Sequence, residues 1–346
     1  MPEAHHDRVS DQPAGLTRNV ARQAKSFASP RLVADVGGTN ARFAIEVAPQ
    51  VFAHHRILDC AAHDGIDAAL RAYLATLGTL GPQVRHAAIG IATPVLGDHV
   101  KMTNLEWSFS IDALRAAFSF ERLLVTNDFT ALAHALPYLT PAELAQVGGK
   151  PAESPSPVGL LGPGTGLGMA GLTPCNGTYM ALTGEGGHAS FSPNDEDEMW
   201  VWQYARERFG HVSAERLLSG PGLALIHDAI RMRGPGKRQL SPAEITEHAR
   251  MGSDPDCQRA VAMFCAMLGS AAADLALTIG ARGGIYVGGG IVPRLGDMFT
   301  RSAFRRRFED KGRMRAYLEE IPVYVIHAPF PALTGLSAQL ARTLPG

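Results

Sequence analysis

Three glycine-rich turns punctuate this chain, and each stands where an apolar run ends. DVGGTNAR (35–42) puts Asp35 at the end of RLVADV and follows it with Gly37, Gly38, Thr39 and Asn40. Two glycines let backbone N–H groups turn toward an anion, and the threonine adds a hydroxyl donor, so the segment can cradle a phosphate. A tight hairpin that only turns the chain is the other reading. Within the cradle, Asp35 could hold Mg²⁺, directly or through water. GPGTGLG (162–168) repeats the recipe with Gly162, Gly164, Thr165 and Gly166. GGIYVGGG (283–290) ends in Gly288, Gly289 and Gly290, which would admit a flat ring such as adenine or simply turn a strand into a loop. Neither of the first two turns is read as a Walker-type or a Rossmann phosphate loop. Two such turns, one in each half of the chain, suit a nucleotide held between two domains.

A second group of residues offers oxygen and nitrogen without phosphate character. TNDFTALA (126–133) ends a strand-like run with Asn127 and Asp128 just before a helical stretch. An aspartate there could take the proton of a hydroxyl attacking phosphorus, or it could only cap the helix. GEGGH (184–188) brings Glu185 and His188, and SAER (213–216) brings Glu215 ahead of the turn SGPG. Carboxylates and imidazole make charge-assisted hydrogen bonds to vicinal hydroxyls, as a sugar requires; solvated loop charges are the alternative. No HExxH or Cys/His cluster stands near His188, which argues against a metal there.

The elements that must position these residues alternate. RLVADVG, ARFAIEVA and VFAHHRILDC predict an antiparallel meander over 31–60, followed by a helix at 65–78, a strand at 85–92, a helix near 110–118 and a strand at 122–128. GKPAESPSP (149–157) is the best internal linker by composition. After it come strands at 158–162 and 178–187, helices near 195–209, 213–218, 221–233 and 256–279, and the strand of GGIYVGGG. Strand–helix alternation predicts α/β layers with ligands gathered at the carboxyl ends of the strands.

With 346 residues the chain is long enough for about two domains. A net charge of −1 provides no basic field for nucleic acid or an anionic membrane, so neither is expected as a partner. Cys60, Cys175, Cys257 and Cys265 lack CxxC spacing and read as reduced core residues, which with the N-terminal composition points to the cytoplasm. Residues 261–279 are almost long and apolar enough to span a bilayer, but Asp274 and the many alanines favour a buried core helix. Residues 1–28, rich in His, Arg and Lys and poor in large apolar groups, are expected to form a flexible tail.

Taken in order, DVGGTNAR, MTNLEW, TNDFTALA, GPGTGLG, GEGGH, SAERLLSGPGL and VGGGI make residues 31–345 resemble the bacterial ATP-dependent glucokinases, in the sugar kinase, heat-shock ATPase and actin superfamily. The zinc-binding CxCGxxGC signature of the related ROK kinases is absent, which favours the branch without zinc. The resemblance implies a two-domain α/β, actin-like (ribonuclease H-like) fold with an interdomain cleft. Its smaller domain would span 29–138 plus 330–346 and its larger one 139–329. It implies phosphorylation of D-glucose to glucose 6-phosphate, the first step of glycolysis, with ATP and Mg²⁺, by a cytoplasmic homodimer. It also implies roles: Asp128 as base; Asn104, Asn127, Asp128, Glu185, His188 and Glu215 on the sugar; the three glycine turns on ATP. A kinase for another hexose or amino sugar is the nearest alternative. A sugar-responsive repressor would need a helix-turn-helix ahead of DVGGTN, for which the preceding residues are too few.

Overall fold

Two sheets are built to the same plan. The computed structural model describes residues 27, 29–103, 105–233 and 239–344, so the expected tail, apart from Phe27 in the first 28 residues, and Asn104 lie outside the described residues. In the first sheet, β1 (Arg31–Val36), β2 (Asn40–Ala48) and β3 (Val51–Asp59) form an antiparallel meander, and β4 (His86–Ile91) continues the sheet parallel to β1. A short ribbon of β5 (His99–Lys101) and β6 (Ser108–Ser110) intervenes before β7 (Arg122–Asn127), which lies parallel to β4. The order is β3-β2-β1-β4-β7. β8 (Leu144–Gln146) then opens a second sheet. There β9 (Val158–Pro163), β10 (Leu167–Cys175) and β11 (Thr178–Thr183) repeat the meander, while β12 (Ile285–Val287) and β13 (Val323–Ile326) repeat the parallel pair. Its order is β11-β10-β9-β12-β13-β8. Every residue of β9, VGLLGP, is buried, as a strand covered on both faces requires. The repeated plan is the one the resemblance implies.

The sequence misplaced the linker. Residues 149–157 connect β8 to β9, and both belong to the second sheet, β8 pairing with β13. Proline and serine mark a surface excursion within that layer, not a passage between layers. The chain leaves the first sheet earlier, along the helix Asp128–Ala135. The sequence also hides a GxGxxG run, GLGMAG at 166–171. It climbs β10 in an antiparallel pair with no helix opening after it, so it is no Rossmann fingerprint. The helix Pro242–Met251 was not expected, although Ser241 and Glu244 form a capping box at its start. Pro255–Ile279 is a mostly buried core helix, and Asp274 near its end pairs with Lys311 at 2.6 Å.

The helix Asp128–Ala135 is packed on both sides. Leu132 and Leu136 join Leu160, Leu172, Tyr286 and Tyr324 of the second sheet. Ala131 instead joins Val33 and Ala88 of the first sheet and Leu333, Leu336 and Leu340 of the last helix, Pro331–Thr343. That last helix is tied to the first sheet by polar contacts as well: Ser337 donates to the buried carboxylate of Glu46, and Gln50 donates to Ser337 Oγ at 3.0 Å. Burial pushes the Glu46 carboxyl up, and the Ser337 hydroxyl, the Gln50 backbone N–H and Arg31 pull it back.

The two helices cross at Gly335, where a β-carbon would stand 1.7 Å from the Ala131 carbonyl oxygen. Backbone atoms cannot give way there as a flexible side chain could. Gly335→Ala should therefore force the helices apart at a cost of about 1–3 kcal/mol or more. Urea unfolding of the variant measures this; an unchanged midpoint would show that the crossing has slack.

Candidate active site

Asp35 and Asn127 stand at or near the ends of strands, Asp128 opens the helix that follows, and Glu215 lies on a short helix. Asp35 lies near the end of β1 and faces Arg42 across the β1–β2 pair; Arg42 Nη1 donates to its Oδ2 at 3.1 Å. Burial raises the Asp35 pKa and Arg42 opposes the rise. Gly37 donates to the Asn40 carbonyl, and Cys60 N–H donates to the Thr39 carbonyl, which pins the turn between β1 and β2. Thr39 itself is exposed.

β7 ends at Asn127, and the first residue of the next helix is Asp128. The sequence left open whether Asp128 caps that helix. Asn127 does: its Oδ1 accepts from Phe129 N–H at 3.0 Å and from Thr130 N–H at 3.1 Å. Asp128 Oδ1 accepts from Phe129 N–H at 2.9 Å and from Asn127 Nδ2 at 3.1 Å. Its pKa rises from 3.8 to about 7, first through burial, then through the Asp35 carboxylate, and least through Glu185, with hydrogen bonding to the backbone resisting. The repulsion shows that residues separated by 57 and 93 positions share one field. A carboxylate with that midpoint is poised to accept a proton near neutrality.

Glu185, His188 and Glu215 converge on the start of β10. Leu167 N–H donates to Glu215 Oε2 at 2.9 Å, and His188 Nε2 lies 3.9 Å from Glu215 Oε1. Ser213 caps the short helix Ala214–Leu217 and so sets Glu215 on its first turn. Ala214 N–H donates to the Ala189 carbonyl, joining the GEGGH and SAER segments. Gly187 is needed because a β-carbon there would stand 2.0 Å from the Leu167 carbonyl oxygen. Glu185 and His188 remain exposed, as residues awaiting a ligand would be. Asn104, the remaining sugar candidate, lies outside the described residues.

The glycine turns work differently from the sequence reading. Of their glycines, Gly284 and Gly289 take positive φ, 115° and 77°, whereas at Gly162 and Gly166 the requirement is close approach. A β-carbon at Gly166 would meet Glu215 Oε2 at 2.4 Å, so this glycine makes room for a neighbouring carboxylate; Gly164 faces open space. Gly164 and Thr165 form the tip of the β9–β10 hairpin, and Gly220 N–H, at the start of the helix Gly220–Arg231, donates to the Gly164 carbonyl at 2.8 Å. Gly288 N–H donates to Leu161, and Gly289 packs on Pro163, so the third turn rests on the second.

The Asp128 environment has a measurable signature. Carboxyl ¹³C NMR should find Asp128 titrating near 7 in the ligand-free protein, and Asp35→Asn should lower that midpoint. A midpoint at the ordinary value of about 4 would remove the shared field. Because the folded chain keeps a proton that the unfolded chain loses from about pH 4 upward, ionisation of Asp128 costs stability as pH rises toward 7. Asp128→Asn should therefore melt above the parent at pH 8, and not at pH 4.

Comparison with known proteins bears on the chain as a whole. A family model described as Glucokinase matches residues 32–343. A glucokinase of Ralstonia nicotianae is 54% identical over 328 residues, 90% of this chain and 95% of the relative. One of Chromobacterium violaceum is 56% identical over 316 residues, 91% of this chain and 90% of the relative. The crystal structure of a glucokinase from an Antarctic psychrotroph superposes with a TM-score of 0.80 at 36% identity, covering 91% of this chain and all of that one. The doubled sheet is thus the two-part α/β, actin-like arrangement of sugar kinases, and a chain with this site and this likeness over nine-tenths of its length belongs to the glucokinase family.

Proposed function

We propose that the protein transfers the γ-phosphoryl group of ATP to the 6-hydroxyl of D-glucose, yielding glucose 6-phosphate and ADP. Membership of the glucokinase family supports the reaction and both substrates. The observation that carries the mechanism is Asp128, relieved of capping by Asn127 and raised to about 7. Ionised Asp128 takes the proton from the glucose hydroxyl as its oxygen bonds to phosphorus, and the bond from phosphorus to the bridging oxygen of ADP breaks in line. Asn127, Glu185, His188 and Glu215, with Asn104, hold the sugar hydroxyls. The DVGGTN and GPGTGLG turns hold the phosphates, and Gly288–Gly290 lie against the adenosine.

Asp35 fits a magnesium ligand: it is a hard oxygen donor, and Arg42 occupies one carboxylate oxygen and leaves the other for a cation or its water. When bound, Mg²⁺ would neutralise phosphate charge. The working division is 29–138 plus 330–346 against 139–329, supported by the last helix packing on the first sheet. A homodimer acting in the cytoplasm completes the reading, supported by the family resemblance alone.

A coupled ADP-release assay with ATP, Mg²⁺ and a panel of hexoses tests the activity: glucose should give the highest kcat/KM. A preference for fructose, mannose or an amino sugar would reassign the substrate. Asp128→Asn should lower kcat by at least ~10² with little change in glucose affinity, and the parent's kcat/KM should rise with pH through about 7. Near-normal turnover in the folded variant would move the base elsewhere. Glu215→Gln keeps an acceptor for Leu167 N–H but loses charge toward the sugar. It should weaken glucose binding by roughly fivefold to a hundredfold, leaving ATP affinity nearly unchanged, as calorimetry would show; a selective loss of ATP binding would place Glu215 on the wrong ligand.

A further inference from the structure

Gly162 of β9 and Gly168 of β10 face each other as register partners, so neither strand raises a side chain at that point of the ladder. The ring of Phe129 occupies the resulting notch. A β-carbon at Gly168 would stand 1.9 Å from ring Cδ2 and 2.0 Å from Cε2, and one at Gly162 would stand 2.9 Å from Cζ. The ring therefore rests on the backbone of both strands, immediately below the hairpin tip that carries Gly164 and Thr165. The same residue's N–H donates to Asp128 Oδ1 at 2.9 Å and to the capping Asn127 Oδ1 at 3.0 Å. Phe129 thus grips the carboxylate through its backbone and the glycine hairpin through its ring.

From this we infer that Phe129 is a positioning residue that sets the separation between the base, Asp128, and the phosphate-bearing hairpin. The inference rests on the kinase reading of the site. In-line transfer needs the attacking hydroxyl, held by Asp128, to meet a phosphorus whose place is set by the β9–β10 turn. These parts belong to different sheets, and misplacement by about 1 Å can cost ~10²-fold in rate. An ordinary core residue would not need a glycine such as Gly168, whose β-carbon would meet the Phe129 ring first and which weakens a strand interior by entropy and by lost packing; Gly162 makes room for the same ring and also for the backbone of Gly288 and Gly289, at 2.7 and 2.8 Å. Phe129 is also only partly buried, at the margin of the cluster formed by Leu132, Leu160 and Tyr286.

The test uses four variants of the full chain: Phe129→Ala, Phe129→Met, Gly168→Ala, and Gly168→Ala combined with Phe129→Ala. Phe129→Ala should remain folded at 25 °C by circular dichroism and bind glucose and ATP within about threefold of the parent, yet lose at least ~30-fold in kcat. Phe129→Met, which refills the notch, should recover part of that loss. Gly168→Ala alone should lower the melting temperature and ATP affinity, because its methyl meets the ring. In the Phe129→Ala background the same methyl should cost little in either, while kcat stays low. A Phe129→Ala enzyme that melts lower but keeps kcat within threefold would make the ring a core filler and overturn the inference. An equal melting penalty for Gly168→Ala in both backgrounds would overturn the wedge geometry. That melting cycle needs no turnover, so a parent inactive on glucose would sink the kinase reading while the wedge is still tested.

Discussion

Asp128, raised to about 7 by burial and then by the charges of Asp35 and Glu185, shares one partly dry space with other carboxylates. Most of what surrounds them limits that repulsion. Arg42 answers Asp35 across β1 and β2, Phe129 N–H and Asn127 answer Asp128, and Leu167 N–H and the nearby imidazole of His188 answer Glu215. No cation among the described residues is paired with Asp128 itself. Pairing it with lysine or arginine would pull its pKa back toward the ordinary value, and on the proposed mechanism would cost it its basicity near neutrality.

Holding such charges in place demands a scaffold that cannot relax. The helix that begins with Asp128 is fixed from both sides, by Leu132 and Leu136 against the second sheet and by Ala131 against the last helix. Gly335 permits the closest of these contacts and Gly168 another. A helix seated on glycines has less freedom than one cushioned by flexible side chains, because backbone atoms cannot change rotamer. The polar tie from Glu46 through Ser337 and Gln50 adds a buried network that fixes the last helix on the first sheet. The final residues of the chain therefore help position a residue two hundred places earlier.

Much of the candidate site could be drawn up from the sequence because its parts are local motifs. Asp35, Asn127, Asp128, Glu185, His188 and Glu215 each sit in a short run with its own turn chemistry, and the structure brings the described members together. The strands were legible where apolar runs were long, as in 31–36 and 158–163. β8 was not, since Leu144–Gln146 is three residues long and is a strand only because β13 offers an edge. The linker was misjudged for a related reason: proline and serine report exposure, whereas membership of a layer depends on pairing that composition does not encode. Phe129 was passed over because nothing in TNDFTALA sets it apart. Its part appears only when Gly162 and Gly168 are known to face each other.

The same point changes how glycine-rich turns are to be understood in this chain. Reading GPGTGLG as flexible backbone wrapped around phosphate explains Gly164, which faces open space at the hairpin tip, and leaves the other three unexplained. Gly168 admits the Phe129 ring, Gly162 admits that ring and the backbone of Gly288 and Gly289, and Gly166 admits the carboxylate of Glu215. One short segment therefore has an open tip at Gly164 and touches both Glu215 and Phe129, so on the proposed reading it would serve the phosphates, the sugar and the base together. Residues 162 and 168 are register partners across the turn, so together they leave one face of the hairpin clear. The spacing that first looked like a phosphate signature is equally a packing signature. Both requirements meet here because the transferred group, its acceptor and the base must come within bonding distance of one another.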